Sequence, residues 1–242
     1  MNNGFDWMQL LNPEFYINLQ IGGVPIGVYV VLFIVFAETG LFAGFFLPGD
    51  SLLFLAGIYS TELMSTLVTI ENDFINVLLL AILVGIAGII GNTFGYWFGS
   101  KSGGYLYSKE DSFWFKKKYL LQSHDFFEKH GGRAIIFGRF FPIIRTFAPI
   151  IAGVVKMDKK KFMFYNVLSS FLWAFTLIFA GHYLYELFIN EFDIDLKKHI
   201  ELIILGIVAI TTVPLIINAV KGNKVTEKEA REELMKDNDK QK

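Results

Sequence analysis

Residues 134–155 read AIIFGRFFPIIRTFAPIIAGVV, an apolar run interrupted by Arg139, Pro142, Arg145 and Pro149. The run is long enough to enter a membrane, yet it carries two permanent cations and two helix-breaking residues. Proline removes a backbone donor and clashes with the preceding turn, so the segment is expected to break near its middle. Broken backbone at membrane depth survives only when buried in protein or lining a wet cavity. The run is therefore expected to be a re-entrant hairpin that enters and leaves on one side. A second run, 41–60, is interrupted by Leu47-Pro48-Gly49-Asp50 and carries the same expectation. Pro48, Gly49, Pro142 and Pro149 are the residues expected to shape the two hairpins.

Working outward, four more apolar segments fall at about 21–37, 77–99, 162–189 and 200–220. A helix crossing hydrocarbon needs about 20 apolar residues, and these four read as spans. The 242 residues are 53% hydrophobic and 17% aromatic, a composition unlike that of a soluble domain of this length. Cysteine is absent, which excludes disulfides, Cys-ligated metals and thiol nucleophiles. His124, His130, His182 and His199 lack the spacing of a zinc helix. Neither a metal nor a cofactor is expected. The N-terminus has no basic n-region and no small-residue cleavage site, so a cleavable signal is not expected either.

Charge placement decides between hairpins and full spans. No Lys or Arg precedes Lys101. Seven fall in 100–133, four in 156–161 and seven after residue 220, whereas 61–76 has three acids and no cation. Cytoplasmic loops are the Lys/Arg-rich ones. With both broken runs re-entrant, every loop obeys that rule and both termini lie inside. With both as full spans, two strongly basic loops face opposite sides. The expected architecture is an all-α integral membrane protein with about four transmembrane helices and two opposed re-entrant hairpins, arranged as an inverted repeat. The halves share faint similarity: Phe46-Leu47-Pro48 against Phe140-Phe141-Pro142, and Leu55-Ala56-Gly57 against Ile151-Ala152-Gly153.

Residues 105–130 mix aromatics with Lys116, Lys117 and Lys118, the pattern of a cytoplasmic interfacial helix. Residues 1–222 form one membrane domain, and 223–242 form a charged, solvated cytoplasmic tail.

Four charges lie in or beside the broken runs: Glu38, Asp50, Arg139 and Arg145. Placing such a charge mid-membrane costs about 2.5–3.5 kcal/mol on insertion scales, so residues there pair, face a cavity or do work. Arg139 and Arg145 suit a phosphate headgroup, because a guanidinium is a planar, always-charged donor fork. Alternatively each arginine neutralises Glu38 or Asp50 and staples the hairpins together. Glu38 and Asp50 are candidates for proton coupling. Asp50 also has a second reading, as a helix N-cap after Pro48-Gly49. Gly85, Gly88, Gly91, Gly95 and Gly99 allow close helix approach. Asn92 and Asn166 are supporting polar residues, expected to bridge helices. Trp173 reads as packing and Tyr183 as an interface anchor.

These residues resemble the DedA family, the bacterial branch of the superfamily that includes eukaryotic VTT-domain lipid scramblases. The resemblance lies in Glu38 to Gly57 (ETGLFAGFFLPGDSLLFLAG), Gly91 to Gly104 (GNTFGYWFGSKSGG) and Phe126 to Trp173, and spans most of 21–220. It implies two opposed re-entrant hairpins in a bacterial plasma membrane. It also implies movement of a phospholipid or undecaprenyl phosphate between leaflets, tied to the proton-motive force. The family's acidic pair carries over to Glu38 and Asp50, and its arginine pair to Arg139 and Arg145. The sequence departs from the commoner pattern at Ile143, where glycine often follows the proline, and at Ser100, where Arg or Lys is frequent.

The function expected is a transporter or flippase, not an enzyme, for a lipid phosphate such as undecaprenyl phosphate or phosphatidylethanolamine. Expected partners are these membrane lipids and protons, with no nucleic acid and a homo-oligomer allowed. The runner-up readings are a proton-coupled small-ion antiporter and a membrane-embedded lipid phosphatase. The phosphatase lacks a nucleophile–base pair near the arginines.

Overall fold

A computed structural model describes residues 13–41, 49–108, 131–139 and 142–192, with Leu196 and Gly206. Pro48, most of the expected interfacial helix and tail, and the expected span at 200–220 lie outside the described residues, apart from Gly206.

The described residues open with α1 (Pro13–Ile17) and a hairpin of β1 (Gln20–Ile21) and β2 (Val24–Pro25). Its turn residues Gly22 and Gly23 have φ of 60° and 82°. Positive φ at both central positions is the demand of a type I′ turn, and glycine meets it without strain. This turn overrides the apolar pattern of 21–37. The helix after this turn, α2 (Gly27–Gly40), has only 14 residues. That is about 21 Å, short of the roughly 30 Å hydrocarbon core, so the expected full span from residue 21 is corrected.

Then come α3 (Gly49–Ile58), α4 (Ser60–Ser65) and the long α5 (Asp73–Ser108). The start of α5 is set by Asn72, whose Oδ1 accepts the Ile75 N–H at 3.1 Å. In the basic half, α6 (Arg133–Gly138) and α7 (Pro142–Val154) are separated by a break at Arg139. Pro142 opens α7, where a missing N–H costs nothing. Pro149 lies inside α7 without ending it, which corrects its expected role as a breaker. The α5 glycines explain the tolerance: a Cβ on Gly95 would lie 3.5 Å from that of Pro149, so a neighbouring helix packs tightly over the lost bond. The helix ends in a Schellman motif, with Met157 N–H to Ala152 O at 2.9 Å, Lys156 N–H to Gly153 O at 3.0 Å and Lys156 at φ 55°. Asp158 then caps α8 (Lys159–Phe192) by accepting the Lys161 N–H at 2.9 Å.

Two helices among the described residues are long and apolar enough to cross a membrane, Asp73–Gly103 and Lys159–Phe192. Their outward faces stay apolar: Ile86, Ile90, Phe94 and Trp97 on α5 and Phe164, Leu168 and Leu172 on α8 are exposed. Rows of this kind need lipid around them.

Inside, two apolar clusters are stacked along α5 and α8. One joins Val31 and Val35 of α2, Leu52, Leu53 and Leu55 of α3, Leu80 of α5 and Ile178 of α8. The other joins Ala134, Ile135, Ala148, Ala152 and Phe162, with Tyr96 stacked on Phe162 at 4.3 Å. Between them lie the buried polar residues Asn92, Asn166, Ser169 and Ser170.

Candidate functional site: a buried charge cluster

Glu38 sits two residues before the end of α2 and is 2% exposed. Gly40 brings that end onto α5: a Cβ there would fall 2.7 Å from the Gly91 carbonyl oxygen. Thr39 turns its hydroxyl back to Val35 O at 2.8 Å, leaving the helix surface free for close approach. The Glu38 carboxylate lies against the first residue of α3. A Cβ on Gly49 would fall 1.6 Å from Glu38 Oε2, so only glycine fits there.

Asp50 follows in the first turn of α3, where the helix dipole favours a negative charge. It lies inside the helix, and its Oδ1 is turned away from a capping role. That oxygen accepts from Arg145 Nη1 and from Trp173 Nε1, the latter at 2.9 Å. Arg145 Nη2 donates to Glu38 Oε1. One guanidinium thus holds both carboxylates, each by one nitrogen of its terminal fork. The stapling reading is correct for Arg145, and one arginine serves both acids.

Arg139 differs. It is 2% exposed, and its Nε and Nη2 have no hydrogen-bond partner among the described residues. Its guanidinium lies 4.9 Å from the ring centre of Trp173, and so does that of Arg145. Such cation–π contacts contribute about 0.5–2 kcal/mol each. Trp173, expected only to pack, therefore touches three of the four charges. A buried tryptophan needs an acceptor for its N–H, and that general need was the available signal.

Asn92 and Asn166 do bridge helices. Asn92 Nδ2 donates to Asn166 Oδ1 at 2.7 Å, and Asn166 Nδ2 reaches Ile89 O at 3.1 Å. Ser170 Oγ also donates to Asn166 Oδ1, at 3.2 Å. The small residues of α5 touch the site too: a Cβ on Gly88 would lie 2.6 Å from Arg139 Nη2. At the far end of α8, Ser60 Oγ lies 3.4 Å from His182 Nδ1, and Glu186 lies 3.5 Å from Nε2. Ser60 is fully buried, so this group ties α4 to α8.

Two long lipid-facing helices around a buried, nearly balanced charge cluster define an integral membrane protein. The VTT domain family matches residues 24–183, a span that holds all four charges, and the chain belongs to this family, as the DedA pattern in its sequence implied. The chain is 36% identical over 223 residues to Protein DedA of Escherichia coli (strain K12), covering 92% of this chain and 95% of that one. It is 33% identical over 225 residues to an uncharacterized membrane protein of Mycobacterium leprae (strain TN), covering 93% of each. It is also 33% identical over 183 residues to Inner membrane protein YqjA of Escherichia coli (strain K12), covering 74% and 73%. No solved structure matches the chain.

Proposed function

We propose that this protein is a transporter, not an enzyme, that moves a lipid phosphate between the leaflets of a bacterial plasma membrane. The observation that carries the reading is a buried guanidinium, Arg139, with two unpartnered donors beside Arg145, whose terminal fork is taken by Glu38 and Asp50. A guanidinium does not lose its proton at working pH, so Arg139 keeps two charged N–H donors to offer an anionic headgroup. The acyl or prenyl tail would stay in the bilayer against the apolar outer faces of α5 and α8. Coupling to the proton-motive force is assigned to Glu38 and Asp50. Glu38 Oε2 has no partner among the described residues and is free to take a proton.

Membrane topology belongs to the same proposal: re-entrant hairpins at about 41–60 and 134–155, opposed in an inverted repeat, with both termini in the cytoplasm. The glycine crossings of α3 on α8 and α7 on α5 support it, because the same contact occurs once in each half.

The test is flipping in reconstituted vesicles, comparing undecaprenyl phosphate with phosphatidylethanolamine, with and without a pH gradient. Wild-type protein should flip one of them faster under a gradient, and Arg139→Ala should flip neither while remaining folded. Unchanged flipping by Arg139→Ala would sink the headgroup reading. Lipid-independent cation flux that Glu38→Gln abolishes would favour an antiporter instead.

A further inference from the structure

Buried polar side chains crowd one side of the charge cluster and are missing from the other. Beyond Trp173 the next buried residues of α8 are Ala174, Ile178 and Gly181, while before it come Ser170, Ser169 and Asn166. The long helix α5 shows the same divide. Gly88 marks the level of the cluster, since a Cβ there would meet Arg139 Nη2. From Gly88 toward Asp73 the next buried side chains are Val84, Ala81, Leu80 and Val77, all apolar over about two turns. From Gly88 toward Lys101 come buried Asn92 and half-buried Thr93 and Tyr96.

The two polar faces meet. Asn92 and Ser170 both donate to Asn166 Oδ1, and Asn166 Nδ2 lies 3.3 Å from Thr93 Oγ1. Asn92 Oδ1 accepts from no partner among the described residues. A buried amide oxygen among other polar groups is a natural foothold for water. One turn further along, Tyr96 stacks on Phe162 at 4.3 Å and donates its hydroxyl to Met157 O at 2.6 Å. Along α8 these rings stand between Asn166 and the exposed Lys159, Lys160 and Lys161. From Phe162 to Trp173 the seam runs for about 16 Å of helix.

We infer that the α5–α8 seam is a one-sided water route to the buried charges, entered from the Lys159 end of α8. Tyr96 and Phe162 form its plug, and the Asn92–Asn166 pair is its latch. Apolar packing on the other side of the cluster keeps water out there. The inference deepens the transporter reading and rests on it in one respect, because a polar cargo must reach the charges from a defined face. The proposed topology makes that face the cytoplasmic one.

Cysteine is absent from the chain, so one introduced thiol reports water at one place. Thiols react as thiolates, which form in water and are disfavoured in apolar packing. Full-length single-cysteine proteins in right-side-out and inside-out membrane vesicles are treated with an anionic, membrane-impermeant methanethiosulfonate. Ser170→Cys and Thr93→Cys should label about tenfold faster or more than Ala174→Cys and Ala81→Cys. That labelling should occur from the cytoplasmic face alone, in inside-out vesicles. Adding Phe162→Ala to Ser170→Cys should speed it further, and Asn92→Ala makes the same test if thermal melts show the Phe162 variant unfolded. Equal rates for the two pairs, or labelling of the seam from the opposite face, would overturn the route. A seam rate that neither added substitution raises would overturn the plug and latch. Labelling needs no lipid cargo, so its failure leaves the transporter reading to the flipping assay. Seam labelling in a protein that flips no lipid would remove that reading and uphold the water route.

Discussion

The crossing of α3 on α8 and the crossing of α7 on α5 are built from the same parts. In the first, a Cβ on Gly57 would fall 2.2 Å from the Ile178 carbonyl oxygen, and one on Gly181 would fall 2.0 Å from that of Phe54. In the second, a Cβ on Gly153 would fall 2.1 Å from the Tyr96 carbonyl oxygen, and one on Gly99 would fall 2.0 Å from that of Ile150. In all four strands of contact the glycine follows the accepting carbonyl of its own helix by three residues. Each short helix thus rides backbone to backbone on the long helix of the other half. Charge is where the crossings part. Asp50 in the first turn of α3 is favoured by that helix's dipole, whereas Arg145 in the first turn of α7 is opposed by its own. The two crossings share their backbone contact, but α7 needs the acids of α2 and α3 to be stable. That asymmetry makes the ion-pair triad the joint between the two.

Removing the joint should therefore have the largest effect. Arg145→Gln leaves Glu38 and Asp50 buried without their cation, which typically costs about 3–5 kcal/mol. Thermal unfolding in detergent should show a large fall in midpoint, with Arg139→Gln affected far less. The double variant Arg145→Gln with Glu38→Gln should recover part of the loss. Midpoints for Arg145→Gln and Arg139→Gln that match each other would mean the triad is not the joint.

A smaller effect asks whether the crossings are equivalent. Gly57→Ala and Gly153→Ala should each destabilise by about 1–3 kcal/mol, because the added methyl meets backbone that cannot swing aside. The two losses should be similar. Tolerance at one position with collapse at the other would break the likeness of the halves.

Much of this comparison was legible in the sequence, and the rest was hidden for physical reasons. Residues of high cost in lipid announce themselves, so Glu38, Asp50, Arg139 and Arg145 could be picked out one by one. The Ala-Gly pairs at Gly57 and Gly153 hinted at the two like crossings. What a one-dimensional pattern lacks is partner choice. Nothing along the chain says that Arg145 takes both acids and leaves Arg139 open, since the guanidiniums are only six residues apart. Trp173 was obscured because an indole in an apolar run serves packing equally well. The hydropathy of 21–37 concealed a turn at Gly22-Gly23, and Pro149 is carried by helix packing that its own segment does not reveal.

The finest probe concerns the strap between the two long helices. Asn92 of α5 and Asn166 of α8 are both buried, and their 2.7 Å bond is the short polar contact that ties the two crossings together midway. Interhelical hydrogen bonds in membranes average about 0.6 kcal/mol of coupling, because the separated helices also find partners. A double-mutant cycle with Asn92→Ala and Asn166→Ala should return a coupling of about that size in detergent unfolding. Asn166 has three further polar contacts, with Ile89, Thr93 and Ser170, so its single variant should cost more than that of Asn92. A coupling indistinguishable from zero would mean that the crossings are stabilised independently. The ion-pair triad would then join the halves without help from the strap.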